Sequence, residues 1–310
     1  MIGSASDYWH NLRGEREAIQ RLLELFEEYE IGATWATVGF LFAGSADDAQ
    51  RLAPAVRPAY ADPHLSPYET LENSRAVEFQ LLFAPDIIDQ IRRSPRQEIA
   101  THTFSHYYCC EPGQTKEAFR ADIESAVAAA GERGISVRSI VFPRNQHNPD
   151  YDDVLIDNGI ICYRGNQRAG MYQFGVKNTE TPLRRVSRLA DTFVNVSGSN
   201  TIAWEEMWTG PVANVPASMF LRPVNGDHGV LERLQFRRIA RALDEAATGG
   251  RVFHLWWHPH NFGTKTEQNI AFLRRILEHF SKLKDEFGFT SLTMTEAAEA
   301  ARSPNNLSDR

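Results

Sequence analysis

The chain reads as an α/β protein built on a parallel, barrel-like sheet, and three observations predict this. Helical apolar spacings alternate with short β-branched and aromatic runs across most of the sequence. With 310 residues and 42% hydrophobic side chains it can bury one large core. That fits a single domain over 1–310, with its core at 14–300 and a frayed tail at 301–310. The residues best suited to chemistry also fall just after predicted strands, the end at which α/β barrels carry their sites.

Ile19, Leu22, Leu23 and Phe26 recur at i, i+3, i+4, i+7 and predict a helix over 14–29 with one buried stripe. Gly32 ends it, and a buried strand follows over 33–40. Residues 54–66 are rich in Pro, Tyr and Asp and read as an excursion loop. A short helix over 86–93 leads into a strand at Glu98, then a helix over 113–131, a strand over 137–142 and a shorter one over 160–163. The stretch 165–210 is polar and irregular, which inside a compact domain predicts a functional loop region. Regular alternation returns with a helix over 230–246 on Phe236, Ile239, Ala240 and Leu243, and a strand over 252–257. A helix carrying Phe272, Leu273, Ile276, Leu277 and Phe280 comes next, and 289–292 is predicted as the last strand. No internal repeat is visible.

A net charge of −7 and the lack of any basic stripe interleaved with aromatics argue against a nucleic-acid partner. Cys109, Cys110 and Cys162 are sparse, and a bridge between neighbours would be strained, so reduced thiols are expected. The segment Met1 to Asp7 has neither the basic start nor the apolar core of a signal peptide. No run reaches the ~18 apolar residues that span a bilayer. The expectation is a cytoplasmic protein without a membrane span.

The most informative segment is Glu98-Ile-Ala-Thr-His-Thr-Phe-Ser-His106. An apolar lead-in ends in two histidines four residues apart, and neutral imidazoles at that spacing suit a divalent metal, usually zinc. The plain alternative is a hydrogen-bonded polar pair at a strand end. Two further segments share this strand-end setting, Val141-Phe-Pro-Arg-Asn-Gln146 and Phe253-His-Leu-Trp-Trp-His258. His254 and His258 form a rival pair, but four extended residues span about 13 Å, too far for two bonds of ~2.1 Å to one ion. His258 is therefore expected to end its strand facing the site, with His254 in the core and His260 as a substitute should strand parity differ. Trp35, Trp256 and Trp257 suit either a sugar face or the core.

Together, His102-Thr-Phe-Ser-His106, the Phe142-Pro-Arg-Asn-Gln run and the Trp-Trp-His258-Pro-His-Asn-Phe run resemble, in order, the motifs of the polysaccharide deacetylase family, the NodB-homology carbohydrate esterases. Members associated with bacterial surface-polysaccharide loci carry similar runs. The resemblance covers roughly 15–300 and implies a distorted (β/α)7 barrel that removes N-acetyl groups from a carbohydrate. It implies His102 and His106 as ligands of a divalent metal, most simply zinc, and His258 as the acid that protonates the leaving amine. Arg144 would hold a catalytic carboxylate or grip the sugar, and Asn145 with its amide would help stabilise an oxyanion. Asp191 would orient the arginine, and Trp257 and His260 would contact the N-acetylated sugar or polysaccharide precursor.

Two departures stand out. The family places its arginine before the proline, whereas here the order is Pro143-Arg144. Its first motif, an acid pair ending a first strand, has no counterpart near the start, where Asp7 is the nearby carboxylate. A barrel lacking that strand would expose two unpaired edges. Three readings stay open: an acid-bearing strand outside the given sequence, a degenerate relative that binds sugar or assists assembly, or Asp191 or Asp7 taking the metal. An unrelated zinc amidohydrolase on a similar barrel is a further one.

Overall fold

Helix α1 (Ala5–Glu28) starts well before the predicted residue 14 and seats Ile19, Leu22, Leu23 and Phe26, each 8% exposed or less, in the core. The computed structural model describes residues 5–68, 83–172, 181–224 and 229–302, with side chains from residue 14 onward. The predicted tail from 303 lies outside them. After α1 the chain runs β1 (Ala33–Thr37), α2 (Ala46–Leu52), α3 (Pro85–Arg93), β2 (Gln97–Thr101), α4 (Lys116–Gly131), β3 (Ser139–Ile140), α5 (Asp152–Asp157) and β4 (Cys162–Tyr163). It continues through α6 (Pro182–Asp191), β5 (Ala213–Asn214), β6 (Met219–Phe220), α7 (Val230–Thr248), β7 (Leu255–Trp256), α8 (Thr266–Phe287) and α9 (Met294–Arg302).

Strands β1 to β5 form a parallel sheet in chain order, and β6 and β7 form a second parallel pair. The register sets Trp35 beside Ile99, Thr101 beside Ile140, Ile140 beside Tyr163, and Tyr163 beside Asn214. All these carboxyl ends point the same way, so the loops after them converge. The predicted α/β class and parallel sheet hold, but barrel closure is not found among the described residues. β1 and β7 instead face each other across an apolar slot of about 1350 Å³, lined by 33–37 on one bank and 252–258 on the other. Phe26 touches both banks, 6.1 Å from the Trp35 ring and 6.1 Å from that of Trp257.

Several predicted elements change. Segment 289–292 forms no strand; it is tied to Gly32 instead, whose N–H donates to Ser291 Oγ at 3.0 Å while Ser291 Oγ donates to Gly32 O at 3.1 Å. The stretch 165–210 is not irregular throughout, because α6 forms within it behind Pro182, with Thr181 Oγ1 accepting from Arg184 N. Helix α9 was not predicted, although Thr293 and Glu296 form a reciprocal capping box (2.8 and 3.2 Å) at its start. At the amino end of the sheet, Glu98 accepts from Thr34 Oγ1 (2.8 Å), Ser139 Oγ (2.5 Å) and Thr295 N (3.1 Å), locking β1, β2, β3 and α9 together. Cys109, Cys110 and Cys162 are free thiols.

Candidate active site

At the end of β2 the chain passes from buried sheet into a tight loop. His102 N donates to Thr37 O at 2.9 Å, which continues the ladder one residue beyond β2. Its Nδ1 lies 2.5 Å from Val141 O; a carbonyl only accepts, so Nδ1 carries the proton and Nε2 keeps its lone pair. Thr103 (φ 65°) and His106 (φ 59°) both adopt the left-handed conformation, which turns the loop back on itself. The imidazoles meet edge to face, 4.8 Å between centroids. Burial, then the neighbouring His106, pushes the His102 pKa down to about 3, so it is a neutral ligand-type imidazole.

A carboxylate that sequence reasoning missed holds this loop in shape. Asp122, on α4 and fully buried, accepts from Phe104 N at 2.6 Å, Ser105 N at 3.2 Å and the Ser105 hydroxyl. Burial outweighs these bonds and raises its pKa to about 6. Gly39 completes the support, because a Cβ there would stand 2.3 Å from the Phe104 ring and push the loop out.

The opposite bank is the end of β7. Trp256 and His258 line a cleft of about 1230 Å³ that also reaches Arg144 and Asn145. Trp257, predicted to contact sugar, points the other way and stacks on Phe262, centroids 5.8 Å apart, so of the two rings it is Trp256 that lines the cleft. His258 packs 5.5 Å from the Trp256 ring and 6.1 Å from Phe220, with His260 stacked on it at 5.1 Å. Burial, then His260 and Arg164, lowers the His258 pKa to about 4.

His254 lies deeper, Nδ1 3.3 Å from Val215 O, and burial lowers its pKa to about 4 against an ordinary 6.5. Below pH 6.5 the unfolded chain gains a proton that the folded chain refuses until about pH 4. Tm is therefore expected to fall as pH drops through that window, and less steeply in His254→Gln; equal slopes would contradict this assignment.

Residues 10–162 match the polysaccharide deacetylase family, a stretch that takes in both loop histidines and the Pro143-Arg144 turn. This part of the chain is a polysaccharide deacetylase domain. A solved structure from Mycobacterium smegmatis, of a protein assigned as a polysaccharide deacetylase, covers 98% of this chain and 82% of its own at 15% identity, with a TM-score of 0.59. That likeness is one of fold. A GH57-type branching enzyme from the hyperthermophilic archaeon Pyrococcus horikoshii covers 100% of this chain and 67% of its own at 11% identity. Its TM-score of 0.49 is too low to carry an argument. No curated protein matches. The family match over 10–162 supports carbohydrate deacetylation as the reaction class and a carbohydrate as substrate. No described helix is long and apolar enough to cross a membrane.

Beyond residue 162 the chain continues into the bank that carries His258, and there the arginines stand differently from expectation. Arg144 (φ 52°) swings towards solvent, its side chain 52% exposed, and pairs with Glu111 at 3.1 Å over the Tyr108 ring. Asp191 does not orient it. That buried carboxylate accepts from Tyr172 (2.9 Å), Val196 N (2.9 Å) and Ser197 N (2.7 Å) and faces Arg238 at 3.5 Å, stapling its own loop. An arginine that acts on both histidine banks is Arg164, the residue after β4. Its Nη2 donates to Asn145 Oδ1 at 2.9 Å, and its charge depresses the pKa values of His102, His254 and His258.

The donor chemistry of His102 and His106 suits a divalent metal: burial lowers the pKa of both imidazoles, and one is locked through its far nitrogen by a carbonyl, as metal-bound histidines are. Among the described residues no group of three His, Cys, Asp or Glu gathers. The pair thus offers two of the three protein ligands that a catalytic zinc takes.

Proposed function

We propose that this deacetylase is a metal-dependent hydrolase that removes N-acetyl groups from a carbohydrate, with His102 and His106 as the protein's histidine ligands. The observation that carries the reading is the folded-back pair, 4.8 Å between rings, with His102 Nδ1 spent on Val141 O. A divalent ion, most simply zinc, supplies in such a site a bound water with a pKa of about 7. The protein's own parts do the rest. Trp256 walls the cleft that takes the sugar, the Asn145 side chain is held by Arg164, and His258 gives a proton to the departing amine. Because His258 is held neutral, that last role needs an anion nearby to raise its pKa. The free thiols agree with a cytoplasmic setting and a precursor sugar modified before export to a surface polysaccharide.

The test is metal content and acetate release. The purified chain is expected to retain about one divalent ion, lost in His102→Ala, and to release acetate from an N-acetylated oligosaccharide. A folded protein without metal would overturn the metal site. One observation favours a second reading, a degenerate relative that binds sugar or assists assembly: among the described residues no carboxylate joins the two histidines. That reading predicts saccharide binding with no acetate released.

A further inference from the structure

Arg164, Trp256, Phe220 and Arg222 form a ladder beside His258. The Arg164 guanidinium lies 4.0 Å over the Trp256 ring, Trp256 and Phe220 are 4.7 Å apart, and Arg222 stands 5.8 Å from Phe220. The two central rings therefore have a guanidinium at each end, and all four residues line the cleft.

Neither cation is neutralised among the described residues. Among the described residues Arg164 has no carboxylate partner; Nη2 donates to Asn145, and Nε is buried without a partner. Trp256 Nε1, under the same guanidinium, is likewise a buried donor with no acceptor. Arg222 gives Nε to Thr192 Oγ1 at 2.8 Å and has no carboxylate partner among the described residues. A desolvated cation without a counter-charge is costly to bury unless a ligand supplies the charge. Burial alone is enough to lower the Arg164 pKa to about 9. The other cations of the cleft are engaged elsewhere: Arg144 is paired with Glu111, Arg168 with Glu206, and Arg188 donates to Met171 O. In a chain of net charge −7, a cleft with two unmatched guanidiniums on an aromatic platform is a selective feature.

We propose that Arg164 and Arg222 receive an anionic group of the saccharide, so that the cleft takes acidic N-acetylated sugars, bearing a carboxylate or a phosphate, in preference to neutral ones. The aromatic pair packs the sugar face, and the guanidiniums fix its charged substituent. The inference rests on the saccharide reading of the cleft and names the class of sugar.

Calorimetric titration of the full chain tests it with three probes: neutral N,N′-diacetylchitobiose, a disaccharide of glucuronic acid and N-acetylglucosamine, and N-acetylglucosamine 6-phosphate. At least one acidic probe is expected to bind roughly tenfold or more tightly than the neutral one, and its identity separates carboxylate from phosphate. The advantage should shrink with added salt and disappear in Arg164→Gln. Arg222→Gln, at the other end of the ladder, reads the same difference should Arg164→Gln fail to fold. Equal affinity for neutral and acidic probes, or an advantage that survives both substitutions, overturns the proposal. If no probe binds, it falls together with the saccharide reading. If an acidic probe binds without losing acetate, the charge preference stands and the deacetylase activity falls.

Discussion

Asp122→Ala is expected to destabilise the fold by about 3–5 kcal/mol, the range for removing one partner of a buried, fully engaged charge. The carboxylate is surrounded by donors with nowhere else to turn: two backbone N–H groups and the Ser105 hydroxyl, all buried. Cutting it away strands them. The same substitution should loosen the metal pair, because the Thr103 to Ser105 turn held by Asp122 sets the angle at which His106 meets His102. Urea unfolding measures the first effect and metal retention at equal folded fraction the second. Asp122→Asn, which keeps one acceptor oxygen, should fall between. A loss below about 1 kcal/mol would remove Asp122 from its role as the loop's anchor.

The second large effect is on turnover. His258→Gln is expected to lower kcat by about 10²–10⁴, the usual worth of a positioned general acid, while leaving Tm and sugar affinity close to those of the parent. Gln keeps the bulk beside Trp256 and Phe220 but cannot deliver a proton. His260→Gln should cost far less, since that ring lies behind His258. Acetate release within about threefold of the parent in His258→Gln would place the proton donor elsewhere.

Much of the scaffold could be read from spacing. The stripe of Ile19, Leu22, Leu23 and Phe26, the helix through Phe272 to Phe280, and the strand entering His102 all depend on local periodicity, and the structure keeps them. Several strands are shorter than predicted; β3, β4 and β7 are two residues each, below what a hydrophobic run can delimit. Helix α9 did carry a signal, the Thr293-x-x-Glu296 box, hidden by an alanine-rich sequence with a weak stripe. At the site, the His-x3-His pair was legible because its chemistry is local. Asp122 was not, since nothing in its own helix marks a carboxylate aimed at a loop 17 residues earlier. Arg164 could have been found: it directly follows a predicted strand, the same criterion that drew attention to Arg144. The choice between Trp256 and Trp257 needed strand parity, which one short, doubly apolar strand does not encode.

The slot between β1 and β7 also divides the sheet by timescale. β2 has a hydrogen-bonded strand on each side, whereas β1 and β7 each have one among the described residues. Amides on the outer margins exchange with water through small openings, and those of β2 only when its neighbours part. His102 is thus mounted on the slowest-opening part of the wall, and His258 follows a strand free to breathe. One bank keeps its position while the other adjusts, so the spacing between the His102/His106 pair and His258 is set by the motion of one side.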